Sequence, residues 1–108
     1  MSEIHKEMVK LFKVFGDENR IQILELLKGR ELSAYELLVE VQITQSTLSH
    51  HMKLLCDSDI VTARKDGKWV YYSLNEERVE DARGMLEELF GESRAQDPYS
   101  TLYCGVLF

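Results

Sequence analysis

The chain has little of what secreted proteins, membrane proteins and most enzymes need. Its 108 residues hold two cysteines, Cys56 and Cys104, far apart. That is no disulfide framework of the kind that staples a small secreted domain. No apolar run approaches the eighteen or so residues of a membrane span, and the start, Met1-Ser-Glu-Ile-His-Lys6, lacks the apolar core of a signal peptide. The cytoplasm is the expected compartment. There is no glycine-rich phosphate loop, no metal triad and no nucleophile with an identifiable base. Ser49 beside His50 is not such a pair, because neighbouring helical side chains point about 100° apart and no acidic residue is placed to orient the ring. An enzyme is therefore not expected. Repeats and low-complexity segments are absent. Cations are also scarce: 13 Lys and Arg stand against 19 Asp and Glu, a net charge of −6.

What is present centres on residues 43–56, Ile43-Thr-Gln-Ser-Thr-Leu-Ser-His-His-Met-Lys-Leu-Leu-Cys56. Thr44 can cap a helix start, with Ile43 and Leu48 as a hydrophobic staple. Leu48, Met52 and Leu55 recur at helical spacing and form one apolar face. Gln45, Ser46, Ser49, His50 and Lys53 fall opposite. Together with Thr44 and Thr47 they are short, mostly uncharged donors and acceptors, suited to base edges and phosphates of DNA. A merely solvated face would more often carry Glu/Lys pairs at four-residue spacing. His51 borders the apolar stripe and is expected to be packed or bonded to backbone.

A hairpin follows. Ile60–Lys65 and Lys68–Leu74 are rich in β-branched and aromatic residues, and Asp66-Gly67 between them is a two-residue turn signal with positive φ expected at both positions. Arg64, Lys65 and Lys68 surround the tip. Val70, Tyr72 and Leu74 are the expected inward set, which leaves Tyr71 free to touch a DNA backbone. A polar recognition helix followed by a basic hairpin is the winged helix-turn-helix order, with the helix in the major groove and the wing on backbone or minor groove. The acid lies elsewhere. Residues 44–72 sum to +1, residues 1–43 to −2 and residues 73–108 to −5. Few phosphate contacts are available, so affinity should be modest and sensitive to salt.

Periodicity supplies the other helices. Ile4, Met8, Leu11, Phe12 and Phe15 form one stripe. Asp17 opens a helix containing Ile21, Ile23, Leu24 and Leu27, closed by Gly29. Ser33 and Glu36 form a capping box, with Leu32 and Leu37 as staple, before Ala34, Leu37, Leu38 and Val41. Val79, Ala82, Met85, Leu86, Leu89 and Phe90 make a last stripe ended by Gly91. The expected fold is mainly α with a small β-hairpin, about five helices plus a two-stranded wing. Residues 1–91 form the domain and 92–108 an apolar tail that either folds back or is disordered. One domain of this length leaves much apolar surface uncovered as a monomer.

Three segments, Asp17-Glu-Asn-Arg-Ile-Gln-Ile-Leu24, Thr44–Leu55 and Asp66-Gly-Lys-Trp-Val-Tyr-Tyr-Ser-Leu74, resemble the ArsR/SmtB family of bacterial repressors, in the right order and at the right separations. The resemblance implies a homodimeric repressor that leaves its operator DNA when an effector binds, with the first and last helices pairing across the dimer. Those stripes would otherwise be intramolecular core. Many metal-sensing members open the helix before the recognition helix with Cys-x-Cys, since soft thiolates suit As(III) and Cd(II). Here Ser33-Ala34-Tyr35 stands in that place. A second family site uses His and carboxylates on the last helix, where this chain has no histidine. Its carboxylates Glu76, Glu77, Glu80, Asp81, Glu87 and Glu88 read as a solvated face. Asp59 replaces the glycine usual in the turn before the wing, where a left-handed conformation is needed.

No cofactor is expected with certainty. Cys56 and Cys104 carry two open readings: small hydrophobes without function, or two thiolates that meet and bind a thiophilic metal or metalloid or form a reversible disulfide. Two thiolates suit a methylated arsenical or a linear soft ion better than inorganic As(III). A non-metal inducer is the alternative. The competing function class is a winged helix used as a protein-interaction module through its acidic surface. The leading expectation is a homodimeric, operator-binding repressor on an inverted repeat.

Overall fold

A computed structural model describes residues 2–92, so the tail beyond them, Cys104 included, lies outside the described residues. Helix α1 (Glu3–Phe15) starts where the Ser2 hydroxyl accepts from the His5 amide, and it stops at Gly16. Helix α2 (Glu18–Leu26) is opened by the Asp17 carboxylate, which accepts from the amides of Asn19 and Arg20. Gly29, at φ +73°, turns the chain into strand β1 (Leu32–Ser33). The capping box forms as expected: Ser33 Oγ accepts from the Glu36 amide, and the Glu36 carboxylate accepts from the Ser33 amide, opening α3 (Ala34–Val41). Gln42, at φ +59°, ends it in the left-handed region. Thr44 caps α4 (Gln45–Asp57) through the Thr47 amide. Strands β2 (Val61–Asp66) and β3 (Trp69–Leu74) make the wing, and Asn75 caps α5 (Glu76–Phe90).

Two details of the wing differ from expectation. Asp66 pairs with Trp69, so the turn residues are Gly67 and Lys68 rather than Asp66 and Gly67. Of the two only Gly67 has positive φ, +61°, the pattern of a II′ turn with glycine first. The sheet also has a third strand. β1 pairs antiparallel with β3 (Leu32 opposite Tyr72, Ser33 opposite Tyr71), giving the order β1-β3-β2.

One buried cluster holds the domain together. It takes Ile23 and Leu27 from around α2, Leu32, Leu37 and Val41 from β1 and α3, Leu48, Met52 and Leu55 from α4, and Ile60 and Val61 at the wing root. Leu37 and Leu55 are fully buried, so truncating either to Ala should cost about 2–5 kcal/mol. Tyr72 and Leu74 pack on this cluster from β3 as expected. On α2 Ile23 is buried while Ile21 is exposed. Gly91 does close α5, but at φ −68°, without the left-handed turn. Asp59 does adopt the left-handed conformation, at φ +66°.

The terminal helices lie against each other and are tied to the body by Arg78. Its guanidinium donates to the Ser58 carbonyl at 3.0 Å and reaches Glu7 of α1 at 3.5 Å. Their apolar stripes are only partly covered. Met8, Leu11 and Ala82 are buried and Phe12, Phe15, Val79 and Met85 half-buried, whereas Ile4, Leu86, Leu89 and Phe90 face solvent, as does Val9 beside the stripe, Phe90 with 79% of its surface exposed. In the single chain the stripes are therefore partly core and partly exposed, with Phe15 and Val79 packed on the buried cluster.

Candidate nucleic-acid interface

The turn Gln42-Ile43-Thr44 leads from α3 into α4, whose two sides divide cleanly. Leu48, His51, Met52 and Leu55 are buried, while Gln45, Ser46, Ser49, His50 and Lys53 are exposed and Thr47 is half-buried. At the helix start the hydroxyls are linked: Thr44 Oγ1 donates to Thr47 Oγ1 at 2.8 Å and lies 3.4 Å from Ser46 Oγ. That cluster orders the first turn and leaves Gln45 and Ser49 pointing into a cleft of about 440 Å³ between α3, α4 and the wing. Lys68 and Trp69 of the wing and Tyr35 of α3 line its other walls. The polar helix and the wing tip thus share one face.

The cations on that face are not equivalent. Lys53 pairs with Asp57 one turn on, at 3.0 Å. Arg64 is held by Glu31 in a two-pronged ion pair, Nη2 to Oε1 at 2.7 Å and Nε to Oε2 at 3.1 Å. Its guanidinium also lies over the Tyr71 ring, 4.7 Å from the centroid. Tyr71 is therefore half-buried under Arg64 and not the free side chain expected. The hydrogen bond from Arg64 is the main reason that the Glu31 carboxyl sits below its ordinary value. Lys65 and Lys68 have no carboxylate within ion-pair distance among the described residues, and Lys68 lies over the Trp69 ring at 5.7 Å.

Three contributors escaped the sequence reading. Tyr35, 64% exposed, and Trp69, 48% exposed, flank the cleft as large aromatics in water. Exposed aromatics beside a polar helix are a recognisable signal once their adjacency is known, but adjacency is not written in the spacing. Glu31 is 33 residues from the arginine it restrains, and no local pattern announces it.

The residues at the familiar metal positions do not fit a soft ion. Ser33 is buried with its hydroxyl committed to the α3 cap, and Tyr35 is a solvent-facing phenol. Neither offers a thiolate. On α5, Glu80 is paired with Arg83 and Asp81 with Arg78. Among the described residues no group of three or more His, Cys, Asp or Glu is placed to hold a metal. Cys56 is half-buried near the end of α4, packed on the core. Burial, and after it Asp57 and Asp59, push its thiol pKa above the ordinary value. No helix among the described residues is long and apolar enough to cross a membrane.

Comparison with known proteins gives a consistent picture. Residues 17–63 match the family described as "Bacterial regulatory protein, arsR family". The chain is 46% identical over 77 residues to the arsenical resistance operon repressor of Staphylococcus aureus, covering 71% of this chain and 74% of that one. It is 35% identical to the protein of the same name from Bacillus subtilis, over 81% of each chain. Among solved structures, HlyU from Vibrio cholerae N16961 superposes with a TM-score of 0.70 at 33% identity, covering 85% of this chain and all of that one. An ArsR-like regulator from Rhodococcus shares the fold, with a TM-score of 0.74 at 19% identity.

Proposed function

Since the chain belongs to the arsR family of bacterial regulatory proteins, which are DNA-binding transcriptional regulators and not enzymes, we propose that it is a repressor acting as a homodimer on an inverted-repeat operator. In this proposal Thr44, Gln45, Ser46, Thr47, Ser49, His50 and Lys53 read bases and neighbouring phosphates. Arg64, Lys65, Lys68 and Tyr71 belong to the wing that holds the backbone. The observation that carries it is the shared face: Gln45 and Ser49 open into the same cleft as Lys68 and Trp69. A helix that presents amide and hydroxyl groups beside a cationic hairpin suits sequence reading next to backbone anchoring.

The apolar residues left in water on α1 and α5 supply a surface for the second copy, and a two-fold pairing would bury them against their own equivalents. Release by an effector belongs to the same proposal. Cys56 is the thiol candidate among the described residues, with Cys104 as its intended partner. Its raised pKa keeps it mostly as the unreactive thiol at neutral pH. That observation, with Ser33 and Tyr35 in place of thiolates, favours the second reading of the inducer, a non-metal ligand. The test of the function itself is selection of duplexes from a randomised pool, followed by footprinting. Enrichment of an inverted repeat, with half-sites about 10 bp apart or a multiple of it, is expected. Failure to enrich any duplex would favour the protein-interaction module.

A further inference from the structure

Arg20 lies on α2, but its guanidinium serves two other helices. Its Nε donates to the Val14 carbonyl at 2.6 Å and its Nη2 reaches the Lys13 carbonyl at 3.5 Å, so it closes the last turn of α1. Its Nη1 stands 3.0 Å from Nδ1 of His51. Arginine has only donors, so the contact is a hydrogen bond when Nδ1 is unprotonated and the ring proton sits on Nε2. On that side the Asp17 carboxylate lies 3.9 Å away, held by the Asn19 and Arg20 amides it caps. His51 is buried on the inner face of α4, while its neighbour His50 is exposed on the outer one. Three helices converge on one imidazole.

We propose that Arg20 and His51 are positioning residues for DNA binding: the bridge from the α1 carbonyls through the guanidinium to Nδ1 sets the rotation of α4, and it holds only while His51 is neutral. The inference rests on α4 being the helix that meets DNA. The apolar seat of α4 on Leu48, Met52 and Leu55 is non-directional, whereas a charge-assisted hydrogen bond fixes an angle. It also ties the DNA-facing helix to α1, whose outer side carries the uncovered apolar residues.

Protonation works against the bridge. The charged groups acting on His51 are Asp17 and Arg20 from the α2 side and His50 from its own helix, while α1 contributes carbonyls through Arg20. Burial is the main influence lowering the pKa of His51, Arg20 and His50 add to it, and Asp17 opposes them. A histidine whose folded pKa is depressed keeps its neutral contacts above the ordinary value of 6.5 and loses them as pH falls through the lower folded value. Below it, an N–H at Nδ1 would face the guanidinium N–H. Protonation of exposed His50 acts in the opposite direction by attracting phosphate, so the two must be separated.

The experiment is a fluorescence titration of a duplex selected by the wild-type protein, done in a His50→Gln background between about pH 7.5 and about pH 5.5. His51→Asn places an amide acceptor near Nδ1 and cannot be protonated; it should bind nearly as tightly as its parent, with no acid-dependent loss. His51→Leu fills the space without an acceptor, and Arg20→Lys keeps the charge without the fork. Both should lose about tenfold or more in affinity at the upper pH with helix content retained. Identical pH profiles for parent and His51→Asn, or parental affinity in His51→Leu, would overturn the proposal. Should the variants unfold, the ring nitrogen shifts of wild-type His51 decide: Nδ1 bare and Nε2 protonated at neutral pH is expected, and the other tautomer refutes the bridge. A wild-type protein that binds no duplex at all defeats the reading of α4 instead, and leaves the tautomer measurement to judge the bridge.

Discussion

Replacing Phe90 with Ser should separate the proposed dimer without unfolding the protomer. Phe90 is 79% exposed in the single chain, and fully burying such a side chain contributes about 1.5–3 kcal/mol. Covering the exposed part is then worth about 1–2 kcal/mol per protomer. A two-fold interface uses the residue twice, so the loss is about 2–4 kcal/mol, or roughly 30-fold to 1,000-fold in dissociation constant. Leu89, 48% exposed, offers a graded control: Leu89→Ser should weaken pairing by roughly 10-fold to 100-fold. Neither side chain supports the protomer's core, so helix content and monomer stability should change within about 0.5 kcal/mol. Sedimentation equilibrium over a wide concentration range reads all three proteins. A wild type that stays monomeric at tens of micromolar, or two variants that pair as tightly as the wild type, would refute the assignment of α1 and α5 to the interface.

Other expectations follow from single side chains. Glu31→Gln should release Arg64 from its ion pair and steepen the salt dependence of binding to random duplex by about 0.9 in log–log slope; an unchanged slope would mean that Arg64 reaches phosphate despite Glu31. Gln42→Gly relieves a left-handed residue (φ +59°) at about 1–2 kcal/mol, less the entropy of glycine, about 0.5–1 kcal/mol. The net gain should raise the melting temperature by a few degrees, whereas Gln42→Val should lower it. Cys56→Ala should still bind the operator and should lose any release caused by thiophilic compounds or oxidants. The rate at which wild-type Cys56 reacts with an alkylating reagent should still be rising at pH 9.0, the ordinary thiol value, because its own pKa lies higher.

Helix starts were legible because each carries its own chemistry. Asp17, the Ser33/Glu36 box and Thr44 are local capping signals, and all three sit where those signals place them. The split of α4 into an apolar and a polar side was equally legible from its period. What escaped is what two distant segments decide together. The two residues of β1 have no pattern of their own and become a strand only by pairing with Tyr71 and Tyr72. Asp66-Gly67 reads as a turn pair, yet the register puts Asp66 in the strand and lets glycine lead the turn. Taking Val70, Tyr72 and Leu74 as the inward set leaves Tyr71 free, but that reading does not show the covering guanidinium, which comes from the paired strand and is itself held by Glu31. His51 was expected to be packed or bonded to backbone, and its burial is as expected, but its partner is Arg20, 31 residues away. The face was visible in the sequence, and the restraints on it were not.

In the proposed function α4 distinguishes bases and the wing holds the backbone. The most direct measurement is binding of Gln45→Ala and Lys68→Ala to the selected duplex, to its single-base variants and to random duplex, each across a salt series. Gln45→Ala should lose about 1–3 kcal/mol of discrimination at one base position and keep its salt slope. Lys68→Ala should weaken every sequence alike and reduce the slope by about 1. Should the wing variant alter which base is preferred while the helix variant changes only salt dependence, the two elements have the opposite roles and the account is wrong.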